Sequence, residues 1–254
     1  MWYQSWSEPL FYGSQTSMVA QDGATPLITW DPLLSSGAGI PLSQIVAGRF
    51  DAYIHAQAEA VAAWHTTVYI RLAPEMNLQS SPYGPGVDGN TPSLYISAWR
   101  HVVAIFRSAN VTNVNWVWSP NVNCGGACPF QEYYPGDGWV DWVGLDGYNY
   151  SAVHLVAWQS FDQVFQSSYR QITALANKPL MIAETSSTEV GGNKAAWITS
   201  ALTQTLPQKM PLVRALVWFN VNKETDWAVN SSLASLNAFR NAVDRPLFAG
   251  TLSR

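Results

Sequence analysis

Two glutamates stand at the ends of apolar, strand-like runs of the sequence. Glu75 comes after Thr67–Ala73, separated from it by one proline, and Glu184 comes directly after Pro179–Ala183. Hydrolysis of a glycosidic bond with retention needs one carboxylic acid to protonate the leaving oxygen and one carboxylate to attack the anomeric carbon, about 5–5.5 Å apart. A single strand-end glutamate fits an ion pair with an arginine equally well. The pair together predicts an acid and a nucleophile.

The other titratable side chains do not suggest a second chemistry. Most other acidic residues fall in predicted loops or helices, where a solvated side chain is the simple interpretation: Glu8, Glu59, Asp88, Glu132, Glu189 and Glu224. The four histidines show no mutual spacing typical of a metal site: His55, His65, His101 and His154. No nucleophile elbow, phosphate loop or dinucleotide fingerprint occurs. We therefore predict an activity that uses neither a metal nor a cofactor.

Strands and helices alternate along the predicted chain. The predicted strands are Met1–Trp6, Pro26–Trp30, Thr67–Ala73, Val114–Trp118, Trp142–Leu145, Pro179–Ala183 and Ala215–Phe219. The predicted helices lie near Gln44–Trp64, Tyr95–Ala109, Ser160–Ala176, Lys194–Thr205 and Ser232–Val243. Because near-continuous apolar strands are typical of a parallel sheet buried on both faces, this alternation predicts an α/β fold, the (β/α)8 TIM barrel. Seven strands are one short of a closed barrel. Either one is missed, or the first lies upstream of Met1, which the strand-like start favours.

Polar residues collect at the C-terminal ends of the predicted strands. Six different strands end in, or run directly into, a chemically capable side chain: Asp31, Glu75, Asn121, Asp146, Glu184 and Asn220. In a (β/α)8 barrel these strand ends form the catalytic face. One such residue means little, but six along one chain indicate an active site.

Composition and charge narrow the class of protein. The 254 residues suit one barrel, and without linker-like tracts we predict a single catalytic domain, 1–254. The net charge of −4, with 13 lysines and arginines, argues against a nucleic-acid partner. No apolar run approaches the roughly 18–20 residues that span a membrane. The 13 tryptophans and 11 tyrosines fit a cleft that stacks on sugar rings, or an aromatic-rich core.

The two cysteines, Cys124 and Cys128, lie in the stretch Cys-Gly-Gly-Ala-Cys-Pro. Their spacing differs from the two-residue gap of redox motifs, and no further metal ligand lies in that segment. A disulfide that closes a small surface loop is the simplest interpretation, and two free thiols are the alternative. A disulfide fits a secreted protein. We therefore expect an extracellular protein whose signal peptide is absent from this chain.

Six segments resemble glycoside hydrolase family 26 and occur in the family's order. They are Arg-Leu-Ala-Pro-Glu-Met-Asn (71–77), Trp-Val-Trp-Ser-Pro-Asn (116–121), Tyr-Tyr-Pro-Gly-Asp (133–137), Val-Asp-Trp-Val-Gly-Leu-Asp-Gly-Tyr-Asn (140–149), Lys-Pro-Leu-Met-Ile-Ala-Glu-Thr (178–185) and Val-Trp-Phe-Asn (217–220). The run 133–149 is the most specific. The resemblance implies a (β/α)8 barrel of retaining enzymes, best known as endo-β-1,4-mannanases, with some members acting on mixed-linkage β-glucan or β-1,3-xylan.

The resemblance also implies roles for single residues. Glu75 would be the acid/base and Glu184 the nucleophile, which in the family follow the fourth and seventh strands. Here they follow the third and sixth, and the equal offset supports a missing first strand. Tyr148 matches a tyrosine near the nucleophile, and Trp218 matches a stacking aromatic. Further candidates for binding a carboxylate or a sugar, each of which also fits a structural role, are Arg71, Trp118, Asn121, Asp146, Asn149 and Tyr83.

The departures from the family pattern concern the substrate. Pro74 replaces a histidine, Leu78 replaces a glycine, and Tyr83 is the only aromatic where a tryptophan of the mannan-binding floor is usual. We predict a monomeric, retaining endo-β-glycanase that acts on a polysaccharide or oligosaccharide, with β-1,4-mannan as the first choice. The alternatives are a β-1,3-1,4-glucanase, a β-1,3-xylanase and a catalytically silent glycan-binding barrel.

Overall fold

The computed structural model describes residues 1–10, 13–124 and 128–248. The chain divides into two compact units, Met1–Val143 and Gly144–Arg254. The boundary falls inside one strand, Trp142–Asn149, which we number β5. The single domain predicted from the sequence stays a prediction, and each unit is described by itself.

The first unit is built from parallel strands that pair in chain order. They are β1 (Trp2–Ser5), β2 (Leu27–Asp31), β3 (Val68–Leu72) and β4 (Val114–Trp118), and β4 pairs with the first residues of β5. The helices are α1 (Gly13–Gln21), α2 (Leu42–Val46), α3 (Asp51–Ala62), α4 (Pro92–Ser108) and α5 (Phe130–Tyr133). Every residue of β3 is buried. This burial explains the continuous apolar run that predicted the strand.

The second unit continues the same pattern. The remainder of β5 is followed by β6 (Leu180–Ser187) and β7 (Val213–Trp218), again in chain order, and β6 and β7 are parallel. The helices are α6 (Phe161–Leu175), α7 (Lys194–Ser200), α8 (Leu206–Lys209) and α9 (Leu233–Val243), and a π-helical turn, Ala201–Thr205, joins α7 to α8. All eight residues of β6 are buried. Both units are therefore repeats of a parallel strand and a helix.

Side-chain caps mark where the helices begin. Ser160 accepts from the backbone N–H of Gln163 while the Gln163 side chain accepts from the backbone N–H of Ser160, a capping box at the start of α6. Thr91 caps α4 and Asn193 caps α7. Since a cap supplies an acceptor for an orphan N–H group, these residues fix the ends of the loops that carry the chain from strand to helix.

All seven predicted strands are confirmed within the described residues, with shifts of a few residues at their ends. The continuous helix predicted over Gln44–Trp64 is wrong, because the chain breaks between α2 and α3. Gly48 lies there with φ +77°, a left-handed conformation that a right-handed helix does not accept. No described helix has the length and apolar character needed to cross a bilayer.

Most of the tryptophans are core residues. Eight of the 13 are buried: Trp6, Trp30, Trp99, Trp116, Trp118, Trp142, Trp197 and Trp227. In the first unit Trp30 packs edge-to-face on Phe106, with ring centroids 5.9 Å apart, and lies 5.0 Å from Trp6. The high aromatic content thus mainly reflects packing, and only individual rings remain candidates for contact with sugar.

Candidate active site

In the first unit, a tight turn after β3 presents Glu75. Two residues of this turn have left-handed backbones, Ala73 with φ +40° and Glu75 with φ +54°. Such a conformation costs a non-glycine residue on the order of 1 kcal/mol or more, so the surrounding structure must impose it. The Glu75 N–H donates to the carbonyl of Ser119, just past β4, at 2.8 Å. The turn is therefore fixed at the C-terminal ends of two neighbouring strands.

Two asparagines hold the Glu75 carboxyl group. Asn121 Nδ2 donates to Glu75 Oε1 at 2.6 Å. Asn77 fixes Asn121 in turn, since its Nδ2 donates to the Asn121 carbonyl at 2.8 Å and its Oδ1 accepts from the Asn121 N–H at 2.9 Å. Asn121 was predicted as a sugar contact, whereas Asn77 was missed, although its place two residues after Glu75 was a usable signal. The geometry gives the carboxyl group one defined orientation.

Arg71 and Tyr83 support this turn from inside the unit. Arg71, on β3, is buried and donates from Nη1 to Thr29 Oγ1 at 3.0 Å. The Tyr83 hydroxyl donates to the Pro74 carbonyl at 2.8 Å and lies 2.9 Å from Asp31 Oδ1. Burial, together with the charge of Asp31, raises the pKa of Tyr83 well above its ordinary value, so the hydroxyl keeps its proton. Tyr83 is 5% exposed, so its hydrogen bonds hold the turn and its ring is not accessible to a sugar.

Trp118, a further predicted sugar contact, lies in the core. Its side chain has no exposed surface. The ring packs edge-to-face against Tyr134 at 5.0 Å and Phe130 at 6.5 Å between centroids. Its position therefore supports packing behind the end of β4 and no direct contact with a substrate.

A disulfide lies beside Asn121. Cys124 and Cys128 are joined with an S–S distance of 2.01 Å. The Asn123 N–H donates to Asn121 Oδ1 at 2.7 Å, which ties the segment before Cys124 to the residue that holds Glu75. The disulfide therefore closes a loop that begins directly after Asn123.

Replacing Cys124 and Cys128 with serine together is expected to lower the free energy of unfolding by roughly 2 kcal/mol, the value for closing so short a loop. Urea unfolding of the wild type and the double variant measures the difference. Reductant should destabilise the wild type by the same amount and leave the variant unchanged. Equal stability of the two proteins would contradict the prediction.

In the second unit, the Glu184 carboxylate lies on β6 and receives a hydrogen bond from Tyr148 on β5. The Tyr148 hydroxyl donates to Glu184 Oε1. A hydrogen bond donated to an ionised carboxylate stabilises its charge and fixes its direction. The Tyr148 ring meets Phe219 edge-to-face at 5.7 Å between centroids. It lies tilted against Trp227 at 5.2 Å between centroids. Tyr148 and Glu184 thus form one packed, hydrogen-bonded pair.

Asp146 and Asn149 lie on the same strand as Tyr148, and neither has any exposed surface. Asn149 Nδ2 donates to Ser187 Oγ at 2.9 Å, and Asn149 Oδ1 accepts from the Gln159 N–H at 3.0 Å. Asn149 therefore connects the ends of β5 and β6 to the loop before α6. The buried positions of both residues favour a structural role over the predicted contact with sugar hydroxyls.

Trp218 ends β7 and is half-buried. Its Nε1 donates to the Trp227 carbonyl at 2.8 Å, and its ring meets Trp197 and Phe239 edge-to-face at 6.0 Å and 5.7 Å. These contacts fix the ring against helices α7 and α9, and its role as a stacking platform for sugar stays a prediction. Trp227, which contacts Tyr148 through its ring and Trp218 through its carbonyl, was missed because no motif marks its loop.

Removing the Tyr148 hydroxyl with Tyr148→Phe is expected to lower kcat/KM about 10- to 100-fold, since a hydrogen bond to a charged group is worth about 1.5–3 kcal/mol. Steady-state hydrolysis measures the change. Tyr134→Phe is the matched control, because the Tyr134 hydroxyl donates to the Asp137 carboxylate at 2.6 Å, so the change removes a bond of the same kind. Equal loss in both variants would show a general effect of removing a hydroxyl group.

The histidines take part in other contacts. His101 Nε2 lies 2.7 Å from Asp51 Oδ1, and the His154 ring stacks on Tyr150 at 4.1 Å. Among the described residues, no group of three or more histidine, cysteine, aspartate or glutamate side chains is arranged to hold a metal ion.

The family model described as Glycosyl hydrolase family 26 matches residues 46–239, well over half of the chain. The chain belongs to glycosyl hydrolase family 26. It is thus a glycoside hydrolase by family, as the sequence motifs predicted. The family assignment covers Glu75, Tyr148, Glu184 and Trp218, all of which lie inside the matched range.

Two curated relatives of this family 26 chain have named activities. Endoglucanase H of Acetivibrio thermocellus is 39% identical over 246 residues, which cover 94% of this chain and 26% of that protein. Beta-1,3-xylanase TXYA of a Vibrio species is 30% identical over 148 residues, 57% of this chain and 29% of that protein. The chain spans between 26% and 29% of the length of these relatives.

Solved structures similar to this family 26 chain show the fold. The catalytic domain of a Bacillus sp. JAMB-750 endo-beta-1,4-mannanase matches with a TM-score of 0.71 at 22% identity, covering 91% of this chain and 68% of that one. Bacillus subtilis mannanase BCman matches with a TM-score of 0.63 at 20% identity, covering 92% and 74%. The predicted fold class, the (β/α)8 barrel of family 26, is confirmed, with seven strands in the described residues.

Proposed function

We propose that this chain is the catalytic module of a retaining endo-β-glycanase that cleaves a glucan backbone containing β-1,4 bonds. Glu184 is the nucleophile and Glu75 is the acid/base. The observation that most supports the proposal is the hydrogen bond from Tyr148 to Glu184, because it holds one carboxylate oxygen and leaves the group oriented for attack.

The reaction proceeds in two displacements. In the first, a carboxylate oxygen of Glu184 forms a bond to the anomeric carbon while the glycosidic C–O bond breaks, and Glu75 gives its proton to the leaving oxygen. In the second, Glu75 takes a proton from water, the water oxygen bonds to the anomeric carbon, and the Glu184 carboxylate leaves. Two inversions restore the β configuration, and both glutamates return to their starting states.

Glucan is the first choice of substrate because the more identical of the named relatives is an endoglucanase, at 39% identity. The likeness to the mannanase structures is 22% or lower in identity and concerns the fold. Tyr83 supports the same choice, since it is buried and bonded to the Pro74 carbonyl and so does not replace the missing tryptophan floor. β-1,4-Mannan remains the second candidate, on the strength of the family motifs.

Reducing-sugar release from a panel of polysaccharides tests the proposal. The panel contains carboxymethylcellulose, mixed-linkage β-glucan, mannan, galactomannan and β-1,3-xylan, with Glu184→Ala as the control. We expect the fastest release from a β-glucan and none above background in the variant. Faster release from mannan would transfer the assignment to the second candidate. Retardation on polysaccharide gels without release of sugar would identify a silent glycan-binding barrel.

We also propose that the enzyme acts outside the cell. Its polymeric substrates are too large to cross a membrane, and the Cys124–Cys128 disulfide persists in an oxidising compartment. Thiol titration of protein purified without reductant from the culture medium of its host tests both points together. Free thiols in that material would contradict the proposal.

A further inference from the structure

The loop after β7 folds back and carries Trp227 to the tyrosine that contacts Glu184. Asn222 and Asp226 form an antiparallel bridge, and the Trp227 N–H donates to the Val221 carbonyl at 3.0 Å. The Trp227 side chain is 1% exposed. Its ring packs against Tyr148 at 5.2 Å and, edge-on, against Tyr150 at 5.3 Å between centroids. Trp227 therefore packs behind the Tyr148 ring and restricts its position.

Side chains bind three consecutive carbonyl groups of this loop. Lys194 Nζ donates to the carbonyls of Asp226 at 3.1 Å and Ala228 at 2.7 Å, the two neighbours of Trp227. The Trp227 carbonyl accepts from Ser186 Oγ at 2.6 Å and from Trp218 Nε1 at 2.8 Å. We name these three donor side chains, Lys194, Ser186 and Trp218, the carbonyl clamp. The clamp fixes the backbone on both sides of Trp227.

Lys194 is the charged member of the carbonyl clamp and is fully buried. Its third hydrogen-bond acceptor is Ser231 Oγ at 2.9 Å, and Ser231 in turn donates to Glu189 Oε1 at 2.8 Å. The charged groups around it are Glu189, from the loop after β6, and Asp226, from the loop after β7. Helix α9, packed on α7, contributes Ser235, which donates to Glu189 Oε1 at 2.7 Å.

The protonation state of Lys194 decides how many of these bonds form. An ammonium group has three N–H donors for its three acceptors, whereas a neutral amine has two and leaves one acceptor without a donor. Burial lowers the pKa of Lys194 to about 8, although the charges of Glu189 and Asp226 oppose this shift. Deprotonation therefore falls in an accessible range of pH and weakens the hold on the loop.

We propose that Lys194 is a positioning residue for the reaction: by holding the carbonyls on either side of Trp227, it keeps Trp227 against Tyr148 and so keeps Tyr148 aligned with Glu184. The inference rests on the proposed role of Glu184 as the nucleophile. Each link is a contact within the second unit, and none requires Lys194 to touch the substrate.

The test measures kcat/KM against pH for wild type, Lys194→Met and Lys194→Arg, with a 2,4-dinitrophenyl β-cellobioside as substrate. Because this leaving group departs without a proton, titration of Glu75 does not set the alkaline side of the profile. We expect the wild type to lose kcat/KM on the alkaline side as the Lys194 ammonium gives up its proton, because burial lowers the pKa of Lys194 to about 8. Lys194→Arg should keep its kcat/KM to higher pH, since a guanidinium stays charged.

The size of the effect is judged against an exposed lysine. Lys194→Met should lower kcat/KM about tenfold at neutral pH, a size typical of residues that act through others. Lys209→Met is the control, because Lys209 pairs with Asp162 at 2.8 Å on the surface and should leave kcat/KM unchanged. Glu189→Gln removes a charge that raises the pKa of Lys194, so the alkaline limb should move to lower pH.

A wild-type profile without an alkaline limb, or the same limb in Lys194→Arg, would overturn the positioning role. Both comparisons remain available should Lys194→Met not fold. The Glu184→Ala variant separates this outcome from failure of the proposed function. An active Glu184→Ala would refute the nucleophile, whereas an inactive Glu184→Ala beside an unaffected Lys194→Met would refute the role of Lys194 alone.

Discussion

Replacing Glu184 with alanine is expected to reduce hydrolysis of the polysaccharide by at least about 10⁴-fold, because loss of the nucleophile removes the covalent pathway. The structure gives a physical basis for this size. Glu184 is the carboxylate to which Tyr148 donates, and its neighbours on β6 are buried, so none of these neighbours offers an exposed group that could replace it. Initial rates of reducing-sugar release at saturating substrate measure the loss.

Azide distinguishes loss of the nucleophile from loss of folding. The small anion fits the space of the missing carboxylate and attacks the anomeric carbon once, so an aryl β-glycoside should yield the α-glycosyl azide. The control is Asp244→Ala, which removes an exposed acid at the end of α9. Ordinary hydrolysis by Glu184→Ala, or a β-glycosyl azide from it, would contradict the assignment of Glu184.

Replacing Glu75 with alanine is expected to lower hydrolysis of the polysaccharide by about 10²- to 10⁴-fold, the usual contribution of a general acid or base. A 2,4-dinitrophenyl glycoside should still glycosylate Glu184, because its leaving group needs no proton. Release of the phenol should therefore show a fast burst followed by a slow steady rate. The steady rate is slow because no base activates the water that hydrolyses the glycosyl-enzyme. Stopped-flow absorbance measures both phases.

Azide also tests the role of Glu75, and the glycosyl azide expected here has the opposite anomeric configuration. It needs no base, so in Glu75→Ala it should speed the slow phase and give the β-glycosyl azide after two inversions. Glu59→Ala, an exposed glutamate on α3 of the same unit, is the matched control and should behave like the wild type. If Glu75→Ala lowered the rates of hydrolysis of the polysaccharide and of the activated glycoside equally, this result would argue against an acid/base role.

The strands could be predicted from the sequence because burial on both faces leaves a continuous apolar run. Val114–Trp118 was located without error, and the other strands were placed within a few residues. The break between α2 and α3 was harder, since the apolar pattern continues across it and the left-handed φ of Gly48 has no counterpart in that pattern. A single glycine inside a helical pattern is often tolerated, so its effect depends on the surrounding fold.

The residues of the candidate site also divide into those that the sequence predicts and those that it does not. Glu75 and Glu184 are predicted from their places at strand ends and from the family motifs, and their catalytic roles stay predictions. The structure adds one hydrogen-bond donor to each carboxyl group, Asn121 to Glu75 and Tyr148 to Glu184. Residue type could not tell whether an aromatic ring is buried, so Tyr83 and Trp118 were predicted as sugar contacts.

Lys194 and Trp227 were missed for another reason. The hydrogen bonds that link Lys194 to this loop and hold Trp227 in place end on backbone carbonyl groups. Backbone carbonyls are common to every residue, so no pattern of side chains announces such an arrangement.

At the left-handed turn of Ala73 and Glu75, a substitution that relieves backbone strain can lower hydrolytic activity. Glycine adopts such backbones without the penalty of a side chain, so it would relieve strain of about 1 kcal/mol at either position. At position 73 the gain leaves the catalytic groups in place. At position 75 glycine would also remove the hydrogen bond from Asn121 and the carboxyl group that we propose as the acid/base. Selection for heat resistance alone would therefore not protect the carboxyl group at position 75, and a useful screen must select for hydrolysis in the same round.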